Sequence, residues 1–85
     1  MTDYSKMSDE EIRQEAVKHG VTVSINRPLL TFGDCAAATY PTHGGRGCDS
    51  AIVKLSDHEY VDDAINAVLR EALTLMQESS NANHI

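Results

Sequence analysis

The chain has 85 residues and a formal charge of −6, from seven Lys/Arg against thirteen Asp/Glu. That is enough for one domain and leaves no room for a second core; a domain this size buries only about 60% of its unfolded-chain surface, so its stability margin is thin. General nucleic-acid binding needs clustered Lys/Arg, which is absent here, and no apolar run approaches the ~20 residues of a membrane span. The opening residues Met1 to Ser5 are polar and acidic, which leads to the expectation of a chain without a secretory signal, working in a cytoplasm. Charge is unevenly placed: residues 1–20 carry a net −2, residues 21–55 a net +1 and residues 56–85 a net −5, with Arg70 the only base of the last segment.

Two segments open with the same device. Ser8-Asp9-Glu10-Glu11 and Ser56-Asp57-His58-Glu59 each offer Ser as N-cap and Glu three residues later, with Met7/Ile12 and Leu55/Tyr60 as apolar staples. They predict helices over about 9–18 and 57–78. In the first, Ile12 and Ala16 with the neighbouring Val17 make a narrow apolar stripe. Gly20 is placed to supply the left-handed stop, and Asp9/Arg13 and Glu15/Lys18 are spaced as solvent-side pairs. Val21-Thr22-Val23-Ser24-Ile25-Asn26 alternates strictly, predicting a strand with Val21, Val23 and Ile25 inward. Arg27-Pro28 should end it. Leu29 to Phe32 reads as a crossing segment or irregular strand, and Gly33-Asp34 as a turn. Cys35 to Tyr40 is open between helix and strand, although Pro41 favours an extended end. Ala51 to Leu55 reads as the last strand.

In the second helix Val61, Ile65, Val68, Ala72 and Leu75 step by 4, 3, 4, 3, and Ala64, Leu69, Leu73 and Met76 widen that face. Twenty-two residues make about 33 Å of helix, the full width of such a domain. This face is read first as core and second as core plus a contact with another copy, which makes a homo-oligomer the expected state. The adjacent carboxylates Asp62 and Asp63 point about 100° apart on a helix and read as a solvated face. The fold class is therefore α+β: a small antiparallel sheet of about three strands with a short N-terminal and a long C-terminal helix, one domain over 1–78 and a polar tail over 79–85.

The most informative stretch is Thr42-His43-Gly44-Gly45-Arg46-Gly47-Cys48, which holds three of the five glycines. Glycine permits positive φ and close backbone approach, and successive N–H groups in such a loop can hold an anion. Arg46 would clamp a phosphate or carboxylate, with Thr42 and His43 adding hydrogen bonds. The stretch is neither Walker A nor G-x-G-x-x-G, so it fixes no nucleotide class. Its plain alternative is a flexible hairpin loop between strands 35–40 and 50–54. A metal site from Cys35, His43, Cys48 and His58 lacks the tight C-x₂₋₄-C spacing of structural zinc, so no metal or other cofactor is expected, and the two cysteines read as small reduced thiols. Cys48 with His43 is the one local nucleophile–base pair, but no third residue orients it, and so small a chain has little volume to enclose a substrate. No catalytic residue is assigned.

Asp3-Tyr4-Ser5-Lys6-Met7-Ser8-Asp9-Glu10-Glu11-Ile12 resembles the opening of NinX-type accessory proteins of lambda-like phages, and Leu69 to Ser79 resembles that family's C-terminal helix. Similar small phage proteins are α-β-α sandwiches. The resemblance covers roughly 25 of the 85 residues, and it implies a phage accessory product in the host cytoplasm while carrying over no functional residue. Two mechanisms then follow for a non-enzymatic binder that counteracts a host defence or process. In one, residues 42–48 sequester a phosphorylated nucleotide signal, with a homo-oligomer bringing the loops together. In the other, acids such as Glu59, Asp62 and Asp63 dock on a basic host protein. A small cysteine-dependent enzyme stands third.

Overall fold

The computed structural model describes residues 3–26 and 33–82. After a 3-10 turn at Tyr4–Lys6, helix α1 covers Asp9–Lys18. Its start is a side-chain cap: Ser8 Oγ accepts from the Glu11 N–H at 3.2 Å, and the Ser8 hydroxyl donates to Glu11 Oε1 at 3.1 Å. Its end is a Schellman motif. Gly20 takes φ +74°, the Gly20 N–H donates to Val17 O at 3.2 Å, and the Val21 N–H donates to Ala16 O at 2.8 Å. Ile12 and Ala16 are buried, and Met7 packs beside them.

Strand β1 (Thr22–Asn26), strand β2 (Cys35–Thr42) and strand β3 (Gly47–Lys54) form one antiparallel sheet in the order β1-β2-β3. Register places Val23 opposite Ala38 and Ile25 opposite Ala36, and then Ala36 opposite Val53 and Ala38 opposite Ala51. The open question over residues 35–40 is thus resolved as strand. Alanine is a poor strand former, but it leaves room for a close helix. Ala36, Ala38 and Ala51 lie against helix α2 (Val61–Ala82), which meets them with Ala64, Val68 and Ala72. Pro41 is tolerated because β1 pairs with β2 only as far as Thr39, so Pro41 has a strand neighbour on one side alone. The last strand starts at Gly47 rather than Ala51, because the β2 partners of residues 47–50 continue to Thr42.

Four expectations are corrected. Helix α2 begins at Val61, four residues late, and Ser56 is not its cap. Leu55 is held to the sheet end: its N–H donates to Asp34 O at 3.0 Å and its side chain packs on the core. Leu55–Asp57 therefore coil into a 3-10 turn, and His58 is extended at φ −129°, ψ 144°, a conformation that stops a helix from passing through it. The first α2 bond runs from the Ala64 N–H to Tyr60 O at 3.2 Å. Asp62 and Asp63 then occupy its positive first turn, and exposed Tyr60 makes no staple. The helix continues through Ala82, past the expected end at 78. Ile25, expected inward, is 46% exposed because it sits at the far end of the edge strand. The expected pairs on α1 are also replaced. Asp9 pairs with Arg70 of α2 at 2.9 Å, Arg13 Nε donates to Asn66 Oδ1 at 3.0 Å, and Glu15 pairs with His19 at 3.1 Å.

These contacts bind α1 to α2, not to the sheet. Helix α2 lies on the sheet face that carries Val23, Ala36, Ala38, Tyr40 and Ala51, and α1 joins the same core through α2. Among the described residues no element covers the other face, unlike the three-layer α-β-α arrangement that the resemblance implies. The apolar stripe of α2 is spent on the core, since Ala64, Val68, Leu69, Ala72 and Leu73 are all buried, so a contact between copies through 61–76 has only the exposed Val61 and the half-buried flank of Ile65, Leu75 and Met76 to use. Expectations for Arg27 to Phe32 and for residues 83–85 lie outside the described residues. Among the described residues, no helix is long and apolar enough to cross a membrane.

Candidate functional site at the β2–β3 hairpin tip

Thr42 pairs with Gly47 and closes a four-residue loop, His43–Arg46. His43, Gly44 and Gly45 take φ of +52°, +66° and +90° in succession, and Arg46 returns to φ −83°, ψ −16°. Three consecutive positive φ values explain the paired glycines, and His43 is held in a conformation that costs an L residue about 1–2 kcal/mol. Gly47 answers a different demand. A Cβ there would stand 3.0 Å from Thr42 Oγ1 across the ladder, so any larger residue would push the Thr42 hydroxyl aside. All six expected site residues, Thr42, His43, Gly44, Gly45, Arg46 and Gly47, therefore lie together on one turn. Thr42 and Gly47 are half-buried and the other four are exposed.

Part of the backbone donor set is used internally, because the Arg46 N–H donates to His43 O at 3.3 Å. The side chain of Arg46 is the opposite case. Arg13 and Arg70 are both engaged in the α1–α2 clasp, with Arg70 Nη2 donating to Met7 O at 2.8 Å and to Asp9 Oδ1 at 2.9 Å. Among the described residues the Arg46 guanidinium has no ion-pair or hydrogen-bond partner. Its sequence neighbour Asp49 accepts instead from the Ser50 N–H at 2.8 Å. Asp34 lies at the other end of the hairpin, where its carbonyl holds Leu55.

Below the tip the field reverses. Tyr40 stands opposite Asp49 in register, with its ring buried in the core at 5% exposure. Burial first, then the carboxylates of Asp49, Glu71 and Glu78, raise its phenol above the ordinary 10.0. A bound anion would have to stay at the outer end, against Arg46 and the glycines. Sequence reading gave no signal for this acidic collar, because Glu71 and Glu78 reach it only through the path of α2.

The other candidate groups are not brought together. Cys35 pairs with Lys54 and Cys48 with Pro41, six positions apart on one face, about 20 Å. His43 is at the tip, whereas His58 follows the opposite end of β3. Among the described residues no three His, Cys, Asp or Glu side chains gather as a metal site, and Cys48 forms no hydrogen bond with His43. A shallow depression on the outer side of α1 is lined by Glu10, Arg13, Gln14 and Val17 and does not include the tip. Comparison with family models, characterised proteins and solved structures finds no match to this chain.

Proposed function

We propose that this chain is a non-enzymatic binding protein that takes a phosphorylated, nucleotide-like small molecule at the hairpin tip, with Arg46 as the principal charge. One observation carries the reading. Arg46 is the described arginine whose side chain has no partner within the fold, and it is presented on a turn whose strained and glycine conformations hold it outward. An exposed guanidinium held this way can meet two phosphate oxygens bidentately. A partner taken up from a host cell, in keeping with the terminal likeness to phage accessory proteins, makes sequestration of a host signal the role we assign.

Calorimetric titration with inorganic pyrophosphate and with a nucleoside diphosphate tests it. The wild-type chain should bind at least one of them, with affinity falling steeply as salt rises. Arg46→Ala should lose at least tenfold in affinity with an unchanged melting temperature. Equal affinity in the two proteins would reject the site.

A second reading has its own observation. Asp57, Glu59, Asp62 and Asp63 are all exposed within seven residues where β3 gives way to α2, a patch that fits a basic protein surface. Asp62→Asn/Asp63→Asn should then slow capture of a basic partner from host lysate while leaving pyrophosphate binding intact. Capture at the wild-type rate would reject it.

A further inference from the structure

The sheet face turned away from the helices carries, row by row, Thr22, Thr39 and Ser50, then Ser24, Ala37 and Ile52, then Asn26, Cys35 and Lys54, with Pro41 and Cys48 toward the tip. Among the described residues no carboxylate stands on it, although the chain carries thirteen, and Lys54 is its one described charge, at a corner. Every side chain at its centre is small except Ile52, which stands 62% exposed beside Ala37, itself only 8% exposed.

We infer that this face is an interface between two copies of the chain, packed sheet on sheet about a two-fold axis that runs parallel to the strands between β2 and β3. Three observations select a second copy as the occupant. First, a copy at −6 repels its twin over most of its surface, and this acid-free face is where two copies meet at the least electrostatic cost. Second, the face is complementary to itself. An axis between β2 and β3 places each Ile52 over the other copy's Ala37, a large residue into the gap left by a small one, as an isologous contact requires. The other in-plane axis, across the strands, would set Ile52 on Ile52. Third, the size suits a weak pair. Strands β2 and β3, eight residues each, rise about 27 Å and the five-residue β1 about 17 Å, with strands about 4.8 Å apart. The flat footprint is about 340 Å² per copy and about 700 Å² for the pair before side-chain relief, in the range of small transient interfaces. A weak, concentration-dependent dimer follows.

Rotation about an axis parallel to the strands leaves both hairpin tips at the same end. Aligned sheets pack about 10 Å apart, so two Arg46-bearing turns stand side by side, spaced for a ligand with two anionic groups. The interface itself does not rest on the anion reading. Arg46 lies outside it, so failure of one leaves the other standing.

Sedimentation equilibrium from 5 to 500 μM is the test. The wild-type mass should rise from 9.3 kDa toward twice that value. Ile52→Asp should raise the dissociation constant at least tenfold, and Ile52→Thr, which keeps a good strand former, should raise it severalfold with the fold intact. Arg46→Ala and Val61→Asp should dimerise as wild type. Maleimide labelling of the exposed Cys48 should slow as the dimer fills. A spin label at His43→Cys, in a Cys35→Ser/Cys48→Ser background, should report a tip-to-tip distance under about 30 Å; tips at opposite ends would lie beyond about 40 Å and overturn the axis. A monomer at every concentration, wild-type association of Ile52→Asp, or a dimer abolished by Val61→Asp would overturn the interface.

Discussion

Arg70 ties α2 to the entry of α1: its guanidinium donates to the Met7 carbonyl just before that helix and to the Asp9 carboxylate in its first turn. Both bonds are charge-assisted but partly solvated, so Arg70→Ala should cost about 1–2 kcal/mol, read as a drop in urea midpoint. The two Ser-Asp-x-Glu segments separate under the same measurement. Ser8→Ala should cost about 1 kcal/mol, because Ser8 caps the Glu11 N–H. Ser56→Ala should fall within error, because Ser56 lies in a 3-10 turn and caps nothing. That contrast shows how far a capping signature can be read. It holds at residue 8, where the preceding turn leaves the chain free to enter a helix. It fails at residue 56, where the pull of Leu55 toward the core and toward Asp34 decides the path. Tyr40 contributes to the loss of stability at alkaline pH. Its folded-state pKa is raised, so the neutral phenol favours the folded state. Stability should be fully present below the ordinary value of 10.0 and should fall as pH rises beyond it and Tyr40 ionises. In denaturation curves from pH 8 to 12, Tyr40→Phe should flatten that loss and change little at pH 7.

At the scale of elements, the molecule rests on one long helix against an alanine-rich strand. Ala36, Ala38, Ala64 and Ala72 have no exposed surface, and a side chain grown between α2 and β2 has nowhere to go. Ala38→Leu should therefore destabilise by about 1–3 kcal/mol by overpacking, even though leucine adds apolar surface. A melting temperature at or above wild type would show that the helix stands farther from the sheet than described. The same small residues explain why residues 35–40 were ambiguous as a sequence. Alanine has no strand pattern of its own, and strand form follows from pairing on both sides with β1 and β3. The 4-3 spacing along α2 was legible because it reports burial directly, and the alternation at 21–26 marked a strand although only Val21 is buried and Val23 half-buried there. The layering was not, because nothing local in α1 says whether Ile12 and Ala16 meet a sheet or a helix. That is settled by Asn66 and Arg70, more than fifty residues away.

For the whole molecule, a frame of 39 × 28 × 18 Å has its acids spread over the helices and along the hairpin, an outer sheet face with no acid among the described residues, and an arginine at the end of its longest hairpin. The six tip residues were legible as a group because glycine spacing signals a turn whatever surrounds it. That Arg46 has no partner among the described residues could be learned only from where Asp34 and Asp49 lie. Anion capture at that tip is tested most directly by amide chemical-shift mapping under titration with inorganic pyrophosphate. The backbone amides of residues 43–47 and the Arg46 Nε–H should shift together in a saturable way, and these shifts should vanish in Arg46→Ala. Shifts confined to α1 or α2, or none at the tip at millimolar pyrophosphate, would contradict anion capture.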